Sequence, residues 1–246
     1  MGGEILIRIF QKGFNFSQDG PGNRLVYHLQ GCNLRCPWCS NPEGLDREGG
    51  TEYTLEELID EVQRSRMMFF DGGGVTLTGG EVTMQLPQVQ ELLTSIHSLS
   101  VHTCIETNGT SPLLQKLLPV LDLLIMDVKH YDSDKHARIT GGRNTQTFLN
   151  IKAALDFSQE MALRIPLIGG FNASDEDARG FAKLFTELGV PGRATVELLR
   201  YHEYGKDKYK KLGLDFTMAE EARVSQQQYE SFGQILHQAG ISIIHT

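Results

Sequence analysis

Between residues 24 and 240 the chain alternates apolar runs of strand length with segments of helical period, a pattern that leaves few folds besides a parallel α/β sheet. Strands are expected at 24–31, 74–80, 101–109, 123–130, 161–170 and 194–202, and helices at 55–70, 86–100, 112–120, 145–160, 175–189 and 226–239. Two more strands, at 5–10 and 241–245, flank this block. Each crossover helix carries the chain back to the same end of the sheet, so six such units run parallel with their carboxyl ends on one face. An open doubly wound sheet and a full or partial β/α barrel both satisfy this, and both place ligands at that face. Local signals agree. Thr54 and Ser174 precede Glu57 and Asp177 by three residues, the spacing of a capping box, and Gly189 and Gly240 stand where left-handed helix caps belong.

Reactive side chains gather just past the expected strands. The first strand is followed by Cys32, Cys36 and Cys39, the second by Thr78-Gly79-Gly80-Glu81, and the third ends in Glu106-Thr107-Asn108-Gly109. The fourth ends in Asp127-Val128-Lys129, the fifth carries Arg164 and the sixth ends in Tyr201-His202. The opposite strand ends are bland, whereas a sheet without a site would scatter polar residues over both. One active site at the carboxyl face is therefore expected.

The cysteines form C-x3-C-x2-C on a loop, where three thiolates converge; on a helix these offsets would spread around the cylinder. Structural zinc is usually closed by four ligands, and no second cysteine pair exists. A three-cysteine zinc site completed by His28 is the competing reading, and it makes the chain a non-catalytic interaction module. Iron–sulfur clusters normally take four thiolates, so three on a [4Fe–4S] cluster leave one iron open to a substrate or cofactor. Gly79-Gly80-Glu81 is neither a P-loop nor a dinucleotide fingerprint. Its glycines let backbone approach a ligand, and its carboxylate can pair with an ammonium group. Asp127 and Lys129 share strand parity and also read as a buried ion pair, His202 as a hydrogen-bonded rim histidine and Cys104 as a small buried hydrophobe.

The cysteine spacing, with Trp38 before the third cysteine, resembles the signature of the radical S-adenosylmethionine enzymes. Asp19-Gly20-Pro21-Gly22-Asn23-Arg24, Gly79-Gly80-Glu81, Glu106-Thr107-Asn108-Gly109, Asp127-Val128-Lys129 and Tyr201-His202-Glu203-Tyr204-Gly205-Lys206 follow in order over almost the whole chain. That set resembles the glycyl radical enzyme activating enzymes, most closely the pyruvate formate-lyase activating family. Only residues 40–53 separate Cys39 from the first helix, so the type without a ferredoxin-like insert is indicated.

The resemblance implies a partial (β/α)6 TIM-type barrel, with residues 1–246 as one domain. It implies that Cys32, Cys36 and Cys39 ligate a [4Fe–4S] cluster whose open iron is held by S-adenosylmethionine. Reductive cleavage of that cofactor would give a 5′-deoxyadenosyl radical that abstracts hydrogen from a backbone glycine of a partner enzyme such as pyruvate formate-lyase. Trp38, Gly79, Gly80, Glu81, Glu106, Thr107, Asp127, Lys129, Arg164 and His202 would surround the cofactor, with Gly79-Gly80-Glu81 holding its amino group. Asn41, Arg164 and His202 would lie near the incoming glycine loop. A monovalent cation beside Glu106 and Asp127 belongs to the same expectation, although the family's aspartate stands here as glutamate, one methylene longer. Flavodoxin or ferredoxin would supply the electron, and a monomer is expected. The alternative is a radical S-adenosylmethionine enzyme acting on a small molecule, of the 7-carboxy-7-deazaguanine synthase type.

Charge and composition narrow the partners. The 23 Lys and Arg stand against 31 Asp and Glu, a net −8, which argues against nucleic acid and anionic membrane surfaces. No apolar run approaches the roughly 18 residues of a membrane span. Met1-Gly2-Gly3-Glu4-Ile5-Leu6 has neither a basic region nor a long apolar one, so a cytoplasmic protein is expected. Four cysteines in that reducing compartment do not suggest a disulfide framework. The segment 203–222, with Lys206, Lys208, Lys210 and Lys211, reads equally as a solvated loop or a partner-docking surface.

Overall fold

The computed structural model describes residues 5–244 apart from 17 and 158; residues 1–4 and His245, the last residue of the expected terminal strand, lie outside the described residues. A hairpin opens the sheet, β1 (Leu6–Asn15) running antiparallel to β2 (Arg24–Leu29). On its other side β1 pairs antiparallel with β3 (Thr51–Thr54). β4 (Gly74–Gly79) lies parallel to β2, and β5 (His102–Thr107), β6 (Leu123–Asp127), β7 (Glu160–Leu167), β8 (Thr195–Arg200) and β9 (Ser242–Ile244) each add in parallel to the strand before. The order β3-β1-β2-β4-β5-β6-β7-β8-β9 has two free ends. The expected six parallel units are all present, and the sheet is an unclosed barrel.

Helices α1 (Leu55–Arg64), α2 (Leu86–Ser98), α3 (Ser133–Thr140), α4 (Thr145–Ala154), α5 (Asp175–Leu188), α6 (Lys206–Lys211) and α7 (Gln226–Gln238) complete the fold. Leu58, Leu92, Phe181 and Phe232 bury one side of α1, α2, α5 and α7 in a continuous core with strand residues such as Leu77, Ile105, Leu163 and Val196. Each such side chain stabilises the fold by about 1.5–3 kcal/mol relative to exposure, so this layer carries most of the hydrophobic stabilisation. The alternate strand positions supply only a small second cluster of Cys104, Leu123, Ile125 and Ala162. The rest of that inner face is left to polar side chains.

The capping boxes form at Thr54–Glu57 and Ser174–Asp177, with a third at Ser225–Gln228. Other expectations need correction. The segment 112–120 is two 3-10 turns, Pro112–Lys116 and Leu118–Val120, because Pro119 lacks the N–H that an α-helix would use. α1 stops at Arg64 before a 3-10 turn at Arg66–Met68, and α4 stops at Ala154. α3 buries only His136 and Thr140, and α6 only Tyr209, so neither has the apolar stripe by which periodicity reveals a helix.

Two features position the site. Across β6, β7 and β8 the register places Asp127 beside Arg164 and Arg164 beside Glu197. At the other end of the strands, the fully buried Arg24 donates to Thr76 Oγ1 (2.6 Å) and to the carbonyls of Val75 (2.8 Å) and Pro21 (3.2 Å). The run from Asp19 to Arg24 therefore fastens the β1–β2 connection to β4, far along the strand from the cysteines.

Candidate functional site

The cysteine loop leaves β2 and is held from three sides. The backbone N–H of Cys32 donates to Leu45 O (3.1 Å), that of Arg35 to Thr140 O (2.7 Å) and that of Cys39 to Cys36 O (3.1 Å). The turn after β4 presses against its start. Gly79 adopts φ +110°, and a Cβ on Gly80 would stand 2.2 Å from Gly31 O, so only glycines allow this approach.

Cys32, Trp38, Cys36, Cys39 and Asn41 from this loop share one cavity of about 260 Å³ with Gly79, Gly80, Glu106, Thr107, Asp127, Lys129, Arg164 and His202. Residues from six strand ends thus converge at the carboxyl rim. Trp38 rests on Phe171 with ring centroids 5.1 Å apart. His202 stacks on Tyr204 at 4.0 Å, its Nδ1 accepts the Tyr204 N–H (3.3 Å), and burial lowers its pKa, leaving the ring neutral at pH 7.

Glu81 is the exception. It does not line the cavity and is 1% exposed. Its Oε1 accepts from Thr107 Oγ1 (2.7 Å), Thr83 Oγ1 (2.7 Å) and Thr83 N–H (3.1 Å), and its Oε2 from Asn108 N–H (2.8 Å). The carboxylate ties the turn after β4 to the turn after β5, and its four hydrogen bonds are all to groups of the chain. The backbone of Gly79 and Gly80 is what that motif presents.

The charged residues pair among themselves. Arg164 donates through Nη1 to Glu106, through Nε to Glu197 (2.6 Å) and through Nη2 to Gln18 O. Glu106 also accepts from Thr78 Oγ1 (2.8 Å). One guanidinium faces two carboxylates, and burial pushes the Glu106 pKa up to about 7 despite Arg164, so this carboxyl holds a proton more readily than an exposed glutamate does. Burial opposes the charge of Arg164 as well, but Glu106 and Glu197 outweigh it and raise its pKa. Lys129 pairs with Asp127, which with Cys36 overcomes burial and raises the lysine's pKa. Of the two carboxylates expected to flank a monovalent cation, Asp127 pairs with Lys129 and Glu106 shares Arg164 with Glu197.

Burial pushes the thiol pKa of Cys36 up to about 12 and that of Cys39 to about 11, and raises that of Cys32; Lys129 opposes the rise at all three. Metal binding must release these protons. Among the described residues no three His, Cys, Asp or Glu side chains are grouped to hold a metal ion. His28, the candidate fourth zinc ligand, packs on Phe10 at 5.6 Å and does not line the cavity. Three half-buried cysteines lining one cavity with a lysine fit a multi-iron cluster, whose thiolate-bound form is negatively charged, better than a single zinc ion.

Several participants were not singled out in the sequence. Glu197 holds Arg164, and Ile168 and Leu199 add apolar surface to the cavity, while Thr78 and Asn108 of the expected motifs hold Glu106 and Glu81. Strand parity placed Glu197 on the same face as Leu199 and Tyr201, but its pairing with Arg164 depends on inter-strand register.

Residues 26–182 match the Radical SAM superfamily. The pyruvate formate-lyase 1-activating enzyme of Escherichia coli strain K12 is 33% identical over 205 residues, 81% of this chain and 82% of that protein. The pyruvate formate-lyase-activating enzyme of Staphylococcus epidermidis is 33% identical over 210 residues, 81% and 83% of the two chains. The crystal structure of a domain of pyruvate-formate lyase-activating enzyme from Bacteroides vulgatus shares the fold with a TM-score of 0.56 at 24% identity, over 70% of this chain and 98% of that one.

Proposed function

The chain belongs to the radical SAM superfamily and, within it, to the family of pyruvate formate-lyase-activating enzymes, and from that membership we propose that it installs a glycyl radical in a partner enzyme such as pyruvate formate-lyase. The observation that carries this reading is the convergence of three thiols and the charged residues of six strand ends on one cavity. When bound, the [4Fe–4S] cluster supplies the electron that splits S-adenosylmethionine to the 5′-deoxyadenosyl radical, which takes hydrogen from a backbone glycine.

The chain's own residues bind and orient. Cys32, Cys36 and Cys39 hold the cluster, and Lys129 beside them offsets its negative charge. Gly79 and Gly80 line the cavity with bare backbone, which would hold the amino group of the cofactor. Thr107 and Asn108 are held in place by Glu81 rather than acting on ligand through their own freedom. Arg164, fixed by two carboxylates and the Gln18 carbonyl, presents a rigid guanidinium edge, and Trp38, Ile168 and Leu199 exclude water. The unclosed barrel leaves a side entrance for an extended polypeptide, with Asn41 and His202 at the rim. The electron would come from flavodoxin or ferredoxin. Among the described residues no helix is long and apolar enough to cross a membrane, and a cytoplasmic location is part of the same proposal.

Anaerobic incubation with S-adenosylmethionine and reductant, with and without pyruvate formate-lyase, tests the reading by electron paramagnetic resonance. An organic radical on the partner polypeptide is expected. Cofactor consumption with a small-molecule product and no polypeptide radical would overturn it in favour of a small-molecule enzyme.

A further inference from the structure

Helix α6 lies directly on the cysteine loop. At Gly205, which precedes it, an added Cβ would stand 2.4 Å from the carbonyl oxygen of Cys39. Lys208 Nζ reaches Asn41 Oδ1 (2.8 Å) and Glu43 (2.9 Å), and the backbone N–H of Asn41 donates to Cys39 Sγ (3.4 Å). Tyr209 is buried. Successive helical residues turn by about 100°, so with Gly205, Lys208 and Tyr209 facing the loop, Asp207 and Lys210 face away from it, flanked by Lys206 and Lys211. These outward residues are exposed. Lys206 has a loose pair with Glu203 at 3.5 Å, while Lys210 and Lys211 have no ion-pair partner among the described residues. Three cations against two carboxylates, Asp207 and the Glu203 that pairs with Lys206, thus sit over the cysteine loop of a chain whose net charge is −8.

We infer that the outward face of α6, formed by Lys206, Lys210 and Lys211, is the docking surface for a small acidic one-electron carrier protein. The inference rests on the reading of the cavity as a cluster site. A cationic patch on an otherwise acidic protein steers an acidic partner to one place and repels it elsewhere. A carrier seated there is separated from Cys39 by one helix, about 10 Å of protein. One electron leaves the carrier and enters the cluster; no bond forms or breaks and no proton has to move. Gly205, Lys208 and Tyr209 make the same helix both lid of the loop and platform for the donor.

The test compares the cluster-loaded protein with its Lys206→Glu/Lys210→Glu/Lys211→Glu variant under anaerobic conditions, using an acidic flavodoxin as the probe. Calorimetric affinity is expected to fall about tenfold or more at low salt (about 50 mM), with the difference shrinking at about 300 mM as screening sets in. Cluster reduction by flavodoxin, followed by electron paramagnetic resonance, slows by a similar factor, while reduction by dithionite is unchanged. Equal flavodoxin affinity in the two proteins overturns the inference, and so does slowed reduction by dithionite, which would show a disturbed loop. If the wild-type protein binds the carrier at α6 yet leaves no radical on pyruvate formate-lyase, the activation reading fails and the docking surface stands. If the variant still accepts electrons from flavodoxin at the wild-type rate, the docking surface fails and the activation reading stands.

Discussion

Replacing Arg164 with Met removes the positive charge at the centre of the rim while keeping most of the side chain's volume, so packing losses stay small. Arg164 is 8% exposed, and its two carboxylate partners, Glu106 and Glu197, are 20% and 4% exposed in their side chains. Removing one partner of a buried ion pair costs ~3–5 kcal/mol, because the opposite charge stays behind uncompensated. The size of that cost must depend on pH. Burial already holds Glu106 at about 7 with the guanidinium present, and without it that carboxyl rises further above the ~4.3 of an unfolded glutamate. A carboxyl whose pKa is raised by folding costs nothing below its unfolded value and its full penalty above its folded one. The Arg164→Met deficit should therefore be small at about pH 5 and grow above pH 7, by ~2 kcal/mol from Glu106 at about pH 8.5, toward the full cost of a stranded charge at higher pH. Urea unfolding of the metal-free protein and variant at both pH values measures it. Adding Glu197→Gln should restore ~1 kcal/mol or more at the higher pH. A deficit of equal size at both pH values would refute the argument, since it would mean that lost packing and not stranded charge is responsible.

Alanine at Cys32, Cys36 or Cys39 should abolish iron binding and the visible absorbance of the reconstituted protein, whereas Cys104→Ala should retain both, because Cys104 is fully buried among apolar neighbours away from the cavity; iron analysis of the four variants decides. Gly80→Ala should weaken S-adenosylmethionine binding more than about tenfold and lower stability by ~1–3 kcal/mol, since its Cβ meets the Gly31 and Gly44 carbonyls at 2.2 and 2.7 Å; wild-type affinity by calorimetry would show that the two turns can part. His136 is 2% exposed, its Nδ1 lies 2.5 Å from Gly142 O, and burial depresses its pKa to about 4. Its stabilisation is present above the unfolded value of ~6.5 and is lost as pH falls toward 4, by about 2–3 kcal/mol. Acid unfolding of a His136→Gln variant should lack that slope, and an unchanged slope would assign it elsewhere.

The parallel strands were legible because their outer face is apolar and each is followed by a helix with a buried stripe, as in α1, α2, α5 and α7. α3 announces itself only by Asp132 at its start and Gly141 at φ 83° after its end, since His136 and Thr140 are buried through hydrogen bonds and not through hydrophobicity. The site residues were legible by position, most of them lying at or just past the carboxyl end of a strand, with Arg164 inside β7. Their roles depended on direction and register. Whether Glu81 points into the cavity or behind it is set by the turn around Gly79 and Gly80, and the Glu106–Arg164–Glu197 arrangement needs side chains from β5, β7 and β8 at matching heights. Neither is written in one strand's own alternation. The length of Glu106 was a readable hint, because an extra methylene brings a carboxylate within reach of a more distant cation.

An unclosed barrel leaves two raw margins where another chain can zip on through its backbone. Here those margins are β3, with four residues, and β9, with three. The β3 margin also carries Glu52, paired to Arg8 on the neighbouring strand. The outermost strands are this brief among the described residues, and β3 covers β1 only from Leu6 to Ile9, so the sheet edge is stepped and not one long straight template. The fold can therefore stay ajar for a visiting polypeptide while giving its own copies only short, broken edges to pair with.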